Sequence, residues 1–261
     1  ENIVSARTAE LKATNARLSQ SNSELETARS MALNMAQARS AFLANMSHEI
    51  RTPLNGLLGM LALALDGPLS AEQRQQLGIA HDSGKVLVEL LNDILDLSKF
   101  EAGQLELEHI PFDLGTLVEE TASLLSQNAA SAVELTCLID PALPAQVLGD
   151  PTRVRQIVSN LLSNALRYTP AGQTISVLIR ETEDSTTFSI ENPGDTISSE
   201  HLEKLFDRFY RVDPARREGS PSNAGLGLAI TRSIIEAHKG RIWCTSAASL
   251  TGFHIELPHP R

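Results

Sequence analysis

No glycine or proline interrupts the chain before Pro53, and Val4, Leu11, Leu18, Leu25 and Ala32 follow one another at seven-residue steps. Such a repeat is the seam of a coiled coil, and with no breaker the backbone has no cause to leave the helix. A long N-terminal helix is therefore expected. Arg39 takes the next place in the repeat and ends the strict seam, while apolar residues continue on a neighbouring stripe through Met35, Phe42 and Met46. Asn15 and Asn22 fall four residues after seam positions, where a buried asparagine fixes register and strand number. A dimeric coiled coil fits the repeat; a solvated helix is the other reading.

The helical period persists through Phe42, Leu43, Met46, Ile50, Leu54, Leu57, Leu58 and Leu61. Asp66, Gly67, Pro68, Leu69 and Ser70 supply turn chemistry, after which Leu77, Ile79, Val86, Leu87, Leu90, Leu91, Ile94 and Leu95 resume an apolar stripe. One hairpin cannot bury both stripes, whereas two hairpins from two chains make a four-helix bundle, so a homodimer is expected. Ser98 to Asp113 reads as a linker. Beyond it, helices are expected at 114–126, 153–168, 199–209 and 227–239, and strands at 134–139, 174–180, 186–191, 241–246 and 252–257. That order implies an α/β sandwich, and an α+β chain as a whole.

A net charge of −10 over 261 residues argues against a nucleic-acid surface. The strongly apolar stretches fall short of the ~18–20 residues a membrane span needs, and no signal-type N-terminus is present. Opening at Glu1 inside a helical pattern, the chain reads as a fragment without a membrane contact of its own, from a cytoplasmic compartment. Cys137 and Cys244 lie far apart, without metal-ligand or disulfide spacing, and read as reduced thiols without function.

The run FLANMSHEIRTPLNG at 42–56 concentrates the chemistry. His48 lies off the apolar stripe. A neutral imidazole is nucleophilic at one ring nitrogen when the other donates its proton, and the adjacent Glu49 carboxylate can accept it. Thr52 follows about 6 Å along the same helix face, within reach of a water near a group carried by His48. Pro53 removes a backbone donor, so a bend is expected there. The other six histidines read as ordinary residues.

Further on, NLLSNALRYTP at 160–170 sets Asn160 and Asn164 on one helix face, followed by Arg167 and Tyr168. Amide oxygens are hard ligands suited to magnesium. In NAGLGLAI at 223–230, Gly225 and Gly227 precede an apolar helix, where backbone amides and the helix dipole favour phosphate; an ordinary turn is the alternative. Phe206 and Phe209 read mainly as packing that supports the charged, Pro- and Gly-rich segment after them, which suits a lid over a nucleotide.

The first of these runs resembles the phosphoacceptor box of sensor histidine kinases. The later ones, with ENPGDTI at 191–197 and LFDRFYR at 205–211, resemble the N, G1, F and G2 boxes of the kinase ATP-binding domain, whose fold gyrase and MutL share. The resemblance implies ATP and Mg2+ as cofactors, His48 as phosphoacceptor, Glu49 as its general base and Thr52 as the water-positioning residue of a reverse phosphatase reaction. It also implies Asn164 as magnesium ligand with Asn160 beside it, Arg167 toward phosphate, Tyr168 toward adenine, and Gly225, Gly227 and Leu228 in the phosphate loop. Two places depart from the family pattern. Asn192, with Gly194 and Thr196, stands where an aspartate would read the adenine amino group, and Asn223 replaces the first glycine of the phosphate loop.

By the same resemblance, residues 1–40 are a coiled-coil signalling helix, 41–103 the dimerisation and phosphotransfer domain, 104–112 a linker and 113–261 the ATP-binding domain. The implied partner is the receiver domain of a response regulator, and the implied whole protein is a bacterial sensor anchored in the inner membrane. The first half is similar to hybrid kinases and the second to heavy-metal sensor kinases, which suggests either a fusion joined near 150–168 or family drift. The altered Asn192 position also suits a non-catalytic module that regulates another kinase. An ATPase clamp of the MutL type is a third reading.

Overall fold

The computed structural model describes residues 2–102, 107–128, 133–212 and 225–259. Helix α1, Asn2–Leu65, runs unbroken past Arg39 and continues helically through Pro53. Its seam residues Leu11, Leu18 and Leu25 are exposed in the single chain. After a short turn, α2 spans Ala71–Glu101 and begins in a reciprocal cap: Gln73 N–H donates to Ser70 Oγ while Ser70 N–H donates to Gln73 Oε1. Arg74 closes the turn by donating to the carbonyls of Leu65 and Gly67, at 2.5 and 3.2 Å. The two helices approach closely where Gly84 meets Leu58, whose Cδ2 lies 2.7 Å from the position a Cβ would take. Arg51 adds a hydrogen bond to Asn92 Oδ1 at 2.8 Å.

The remaining elements are β1 (Ile110–Phe112), α3 (Leu114–Asn128), β2 (Glu134–Ile139), β3 (Val147–Gly149), α4 (Pro151–Tyr168), β4 (Thr174–Glu181), β5 (Ser185–Pro193), α5 (Ser199–Leu202), α6 (Gly227–Ala237), β6 (Arg241–Ala247) and β7 (Leu250–Pro258). Five strands form one sheet in the order β2-β4-β5-β7-β6, with only the β2–β4 pair parallel. Strands β4 and β5 alternate buried and partly exposed residues, as expected when one face is covered by helices. The covering layer is α3, α4 and α6. On α4 the buried residues Val154, Ile157, Val158, Leu161, Leu162 and Ala165 make one stripe, which packs with Ile230, Ile234 and Ile235 of α6 and with Ile175, Val177, Ile190 and Phe253 of the sheet.

Three expectations are corrected. The helix predicted at 199–209 stops at Leu202, where tighter i→i+3 turns take over, and Phe209, expected mainly as packing, is exposed and left-handed at φ 60, which no right-handed helix accommodates. The predicted linker 104–112 contains a strand: β1 pairs antiparallel with β3, both too short to show a period in the sequence. Asp150 ties these parts together. Nearly fully buried, it caps α4 by accepting from Arg153 N–H at 3.0 Å and accepts from Glu108 N–H at 3.3 Å.

The hairpin and the sandwich meet along α2. Arg153 donates to both carboxylate oxygens of Asp96, at 2.6 and 3.2 Å, and Gln156 donates to the same carboxylate at 3.3 Å. Beside this clamp, Leu97 and Phe100 of α2 line a small cleft with Ile230 and Ile234 of α6.

Asp93, half-buried one turn from Asp96, has its carboxyl pushed from the ordinary 3.8 up to about 6, by burial first and then by the charges of Asp96 and Glu89. The fold thus favours the protonated form. Its contribution to stability is complete below 3.8 and is lost as pH rises through about 6. Asp93→Asn, which stays neutral, is expected to melt higher than the parent at about pH 7.5 and to lose that advantage by about pH 4. Parallel melting curves across this range would mean that Asp93 titrates as an ordinary carboxylate.

Candidate functional site

Four of the expected nucleotide residues lie on the C-terminal half of α4. Asn160 turns toward α6: its amide donates to the Gly227 carbonyl at 3.2 Å and to Thr231 Oγ1 at 3.4 Å. Its Cγ lies 3.5 Å from where a Gly227 Cβ would sit. Asn160 therefore brackets the start of α6 rather than pointing its nitrogen at a ligand. One turn on, Asn164 is half-buried, and among the described residues its amide makes no side-chain hydrogen bond, so its oxygen fits the hard-ligand role. Arg167 and Tyr168 are exposed at the end of the helix.

Strand β5 brings the next group against that helix end. Asn192 is almost fully buried and donates to the Pro193 carbonyl at 3.2 Å; among the described residues its Oδ1 accepts no hydrogen bond. An acceptor so placed suits an amino group. Gly194 follows, where a Cβ would lie 2.9 Å from the Tyr168 carbonyl oxygen, so only glycine lets the β5 end pass this close to α4. Its N–H donates to the Ser249 carbonyl, and Ser249 N–H donates to Thr196 Oγ1.

Gly225, with φ 72, and Gly227 lead into α6, followed by half-buried Leu228. Asn223 lies outside the described residues. The helix has no side-chain N-cap, leaving its first amides to other partners.

On α1, His48, Glu49 and Thr52 are all exposed. No hydrogen bond joins His48 to Glu49 among the described residues; neighbours on a helix diverge by about 100°. Thr52 Oγ1 donates to the His48 carbonyl at 3.1 Å, which engages the hydroxyl proton but leaves its lone pairs open to water. No hydrogen bond or ion pair connects these three residues with α4 or α6 among the described residues. The cysteines stay outside the chemistry, since burial raises both thiols, Cys244 to about 12.

The sequence reading passed over Asp150, Arg153 and Thr231. The Asp150–Pro151 pair was the available signal, a capping side chain followed by proline at the first helical position. Thr231 carries no local signal, because its role exists only through its contact with Asn160.

A family model described as the His Kinase A (phospho-acceptor) domain matches residues 38–103, and one described as the histidine kinase-, DNA gyrase B- and HSP90-like ATPase matches 149–261. The sensor protein GacS of Pseudomonas syringae pv. syringae is 39% identical over 246 residues, covering 92% of this chain and 27% of GacS. The chain thus spans about a quarter of that relative's length. Among solved structures, ShkA in complex with AMPPNP matches with a TM-score of 0.72 and 32% identity, covering 83% of this chain and 45% of ShkA. The histidine kinase ThkA in complex with the response regulator protein TrrA matches with a TM-score of 0.58 and 26% identity, covering 83% of this chain and 60% of ThkA.

Gly194→Ala is expected to destabilise the chain by about 1–3 kcal/mol, because the new methyl meets backbone that cannot swing away. Gly227→Ala, whose methyl would make ordinary contact at 3.5 Å with Asn160, should melt close to the parent. Thermal melts of the two variants side by side check the contrast, and equal stability would count against it.

Proposed function

The chain belongs to the sensor histidine kinases, and on that premise we propose that it is a dimeric kinase core that phosphorylates His48 from Mg-ATP and passes the phosphoryl group to a response-regulator aspartate. The observation that carries this reading is the pairing, in one chain, of a solvent-exposed His48 inside the phosphoacceptor match with an ATPase-type domain whose glycine turn opens α6. An ATPase clamp of the MutL type has no use for the first of these.

In this reading, 1–40 carries signal as a coiled coil, 41–103 dimerises and presents His48, 104–112 connects and 113–261 binds ATP. The exposed seam leucines of α1 support the dimer. Tyr168 faces adenine, Asn192 and Gly194 read its edge, Arg167 meets phosphate, and Asn223, Gly225, Gly227 and Leu228 form the phosphate loop. Asn164 would hold a magnesium ion, which when bound offsets charge on the phosphates. Asn160 steadies the loop through the Gly227 carbonyl.

The imidazole of His48 attacks the γ-phosphorus in line; the N–P bond forms as the bond to the ADP oxygen breaks, and ADP leaves with the electron pair. Glu49 accepts the ring proton as the nitrogen becomes a nucleophile. Backbone amides at the α6 start offset the transferring charge. Thr52 then orients a water for the phosphatase reaction. A receiver domain is the proposed acceptor, consistent with the response regulator bound by the similar kinase ThkA. Among the described residues no helix is long and apolar enough to cross a membrane, and we assign the chain to the cytoplasmic portion of a bacterial sensor.

Incubation with γ-labelled ATP should label the parent with acid-labile phosphate, and His48→Ala should abolish the label while leaving nucleotide binding intact. Label persisting in the variant would move the acceptor to another histidine. Failure of the parent to bind nucleotide in a calorimetric titration would favour the non-catalytic module instead.

Asn192→Asp is expected to tighten ATP binding by up to about tenfold, since a charged acceptor holds an amino group more strongly. Desolvation of the carboxylate and loss of the bond to the Pro193 carbonyl limit the gain. An inosine nucleotide should bind more weakly to the same variant. Unchanged affinity for both would remove Asn192 from the base site.

A further inference from the structure

Phe209 and Gly225 lie 16 positions apart in sequence yet lock together in space. Phe209 has φ 60, a left-handed conformation that residues with bulky side chains rarely adopt, and its N–H donates to the Gly225 carbonyl at 3.0 Å. Gly225 is itself left-handed, at φ 72. A Cβ on Gly225 would fall 2.9 Å from both the Phe209 carbonyl carbon and the Tyr210 carbonyl oxygen. The backbone of Phe209 and Tyr210 is thus a wall against which Gly225 rests, two residues before the first residue of α6.

That wall is pinned by a side chain. The Tyr210 hydroxyl lies 2.5 Å from His201 Nδ1, with the two rings tilted by 47° at 6.1 Å between centroids. Both residues are half-buried. His201 belongs to the single turn of α5, whose Leu202 joins the edge of the main core, so the hydrogen bond connects a packed element to the wall. The hydrogen bond fixes the mutual orientation of the two side chains.

We propose that His201 is a positioning residue for the phosphate loop, acting through the Tyr210 hydroxyl to hold the backbone on which Gly225 is set. The proposal rests on the reading of Gly225 and Gly227 as the phosphate-binding turn. Because His201 acts through the backbone behind Gly225, it affects how well the nucleotide phosphates are held, and leaves the acceptor His48 untouched.

The test uses the full chain, Mg-ATP for kinetics and AMPPNP for binding. His201→Leu and Tyr210→Phe should each raise the KM for ATP and the Kd for AMPPNP by about three- to tenfold, the range expected for one lost hydrogen bond, with kcat changed less than about twofold. The double variant should be no worse than either single one, because both remove the same bond. His201→Asn, whose amide can replace Nδ1 as hydrogen-bond partner, should recover most of the affinity. A fall in melting temperature with KM and Kd unchanged would overturn the proposal and leave the pair a purely local tie. So would additive effects in the double variant. Gly227→Ala separates the two layers of argument: within the protein its methyl meets only ordinary contacts, so the fold is spared, but the methyl crowds the turn at which the backbone would have to approach a phosphate. If it leaves AMPPNP binding intact, the phosphate-loop reading itself fails and the proposal falls with it. If it weakens binding while His201→Leu does not, only the positioning role is lost.

Discussion

The burial of one apolar stripe of α4 against the sheet and α6 holds the proposed nucleotide residues in place. Leu161 and Leu162 are fully inaccessible, and they pack beside Ile175, Ile190, Ile230 and Ile235, which are equally enclosed. Each fully buried residue of this kind contributes about 1.5–3 kcal/mol of transfer free energy. With the stripe fixed, helix periodicity leaves Asn160, Asn164, Arg167 and Tyr168 little choice of direction. The polar side of the helix becomes one wall of the site because its apolar side is committed elsewhere. Substitutions that enlarge or empty the stripe should therefore disturb the site without touching it.

The contact between the hairpin and the sandwich is of a different kind. Asp96, Arg153 and Gln156 form a charge-assisted cluster flanked by a small apolar cleft, and both charged side chains keep about a fifth of their surface in solvent. Partial solvation weakens such a pair, while the planar guanidinium keeps its geometry specific. An interface of this sort sets an orientation without welding two bodies together. The same helices carry the partners and the site: Arg153 starts α4, and Ile230 and Ile234 lie on α6 behind Gly227. The clamp and the glycine turn are therefore joined through the same two helices.

The site itself combines strict and permissive positions. Gly194 and Gly225 are strict because backbone atoms stand 2.9 Å from where a side chain would begin. Asn192 is more permissive in chemistry, since its buried amide satisfies itself at the Pro193 carbonyl and still presents an oxygen. An amide can thus offer an acceptor oxygen at this buried place without a carboxylate's charge. A buried asparagine there avoids the desolvation of a permanent charge and gives up the stronger bond in exchange.

The sequence by itself determined the long helix, the hairpin, the order of the five main strands along the chain and the motif residues, because each rests on local periodicity or on spacing within a few turns. The seven-residue seam from Val4 to Ala32 and the stripe of α4 needed no distant information. Short elements were beyond its reach: β1 and β3 have three residues each, and α5 gives way after Leu202 to a run of tighter turns that ends where Phe209 turns left-handed to meet Gly225. Among the site residues, composition and spacing marked Asn160, but only the folded chain turned its amide toward Gly227 and Thr231. Likewise Asp96 and Arg153, far apart in the chain, became a pair, and His201 found Tyr210. Tertiary structure decided these because a hydrogen bond's partner depends on a distance in space, and local periodicity carries no information about distances between elements that pack only after the chain has closed on itself.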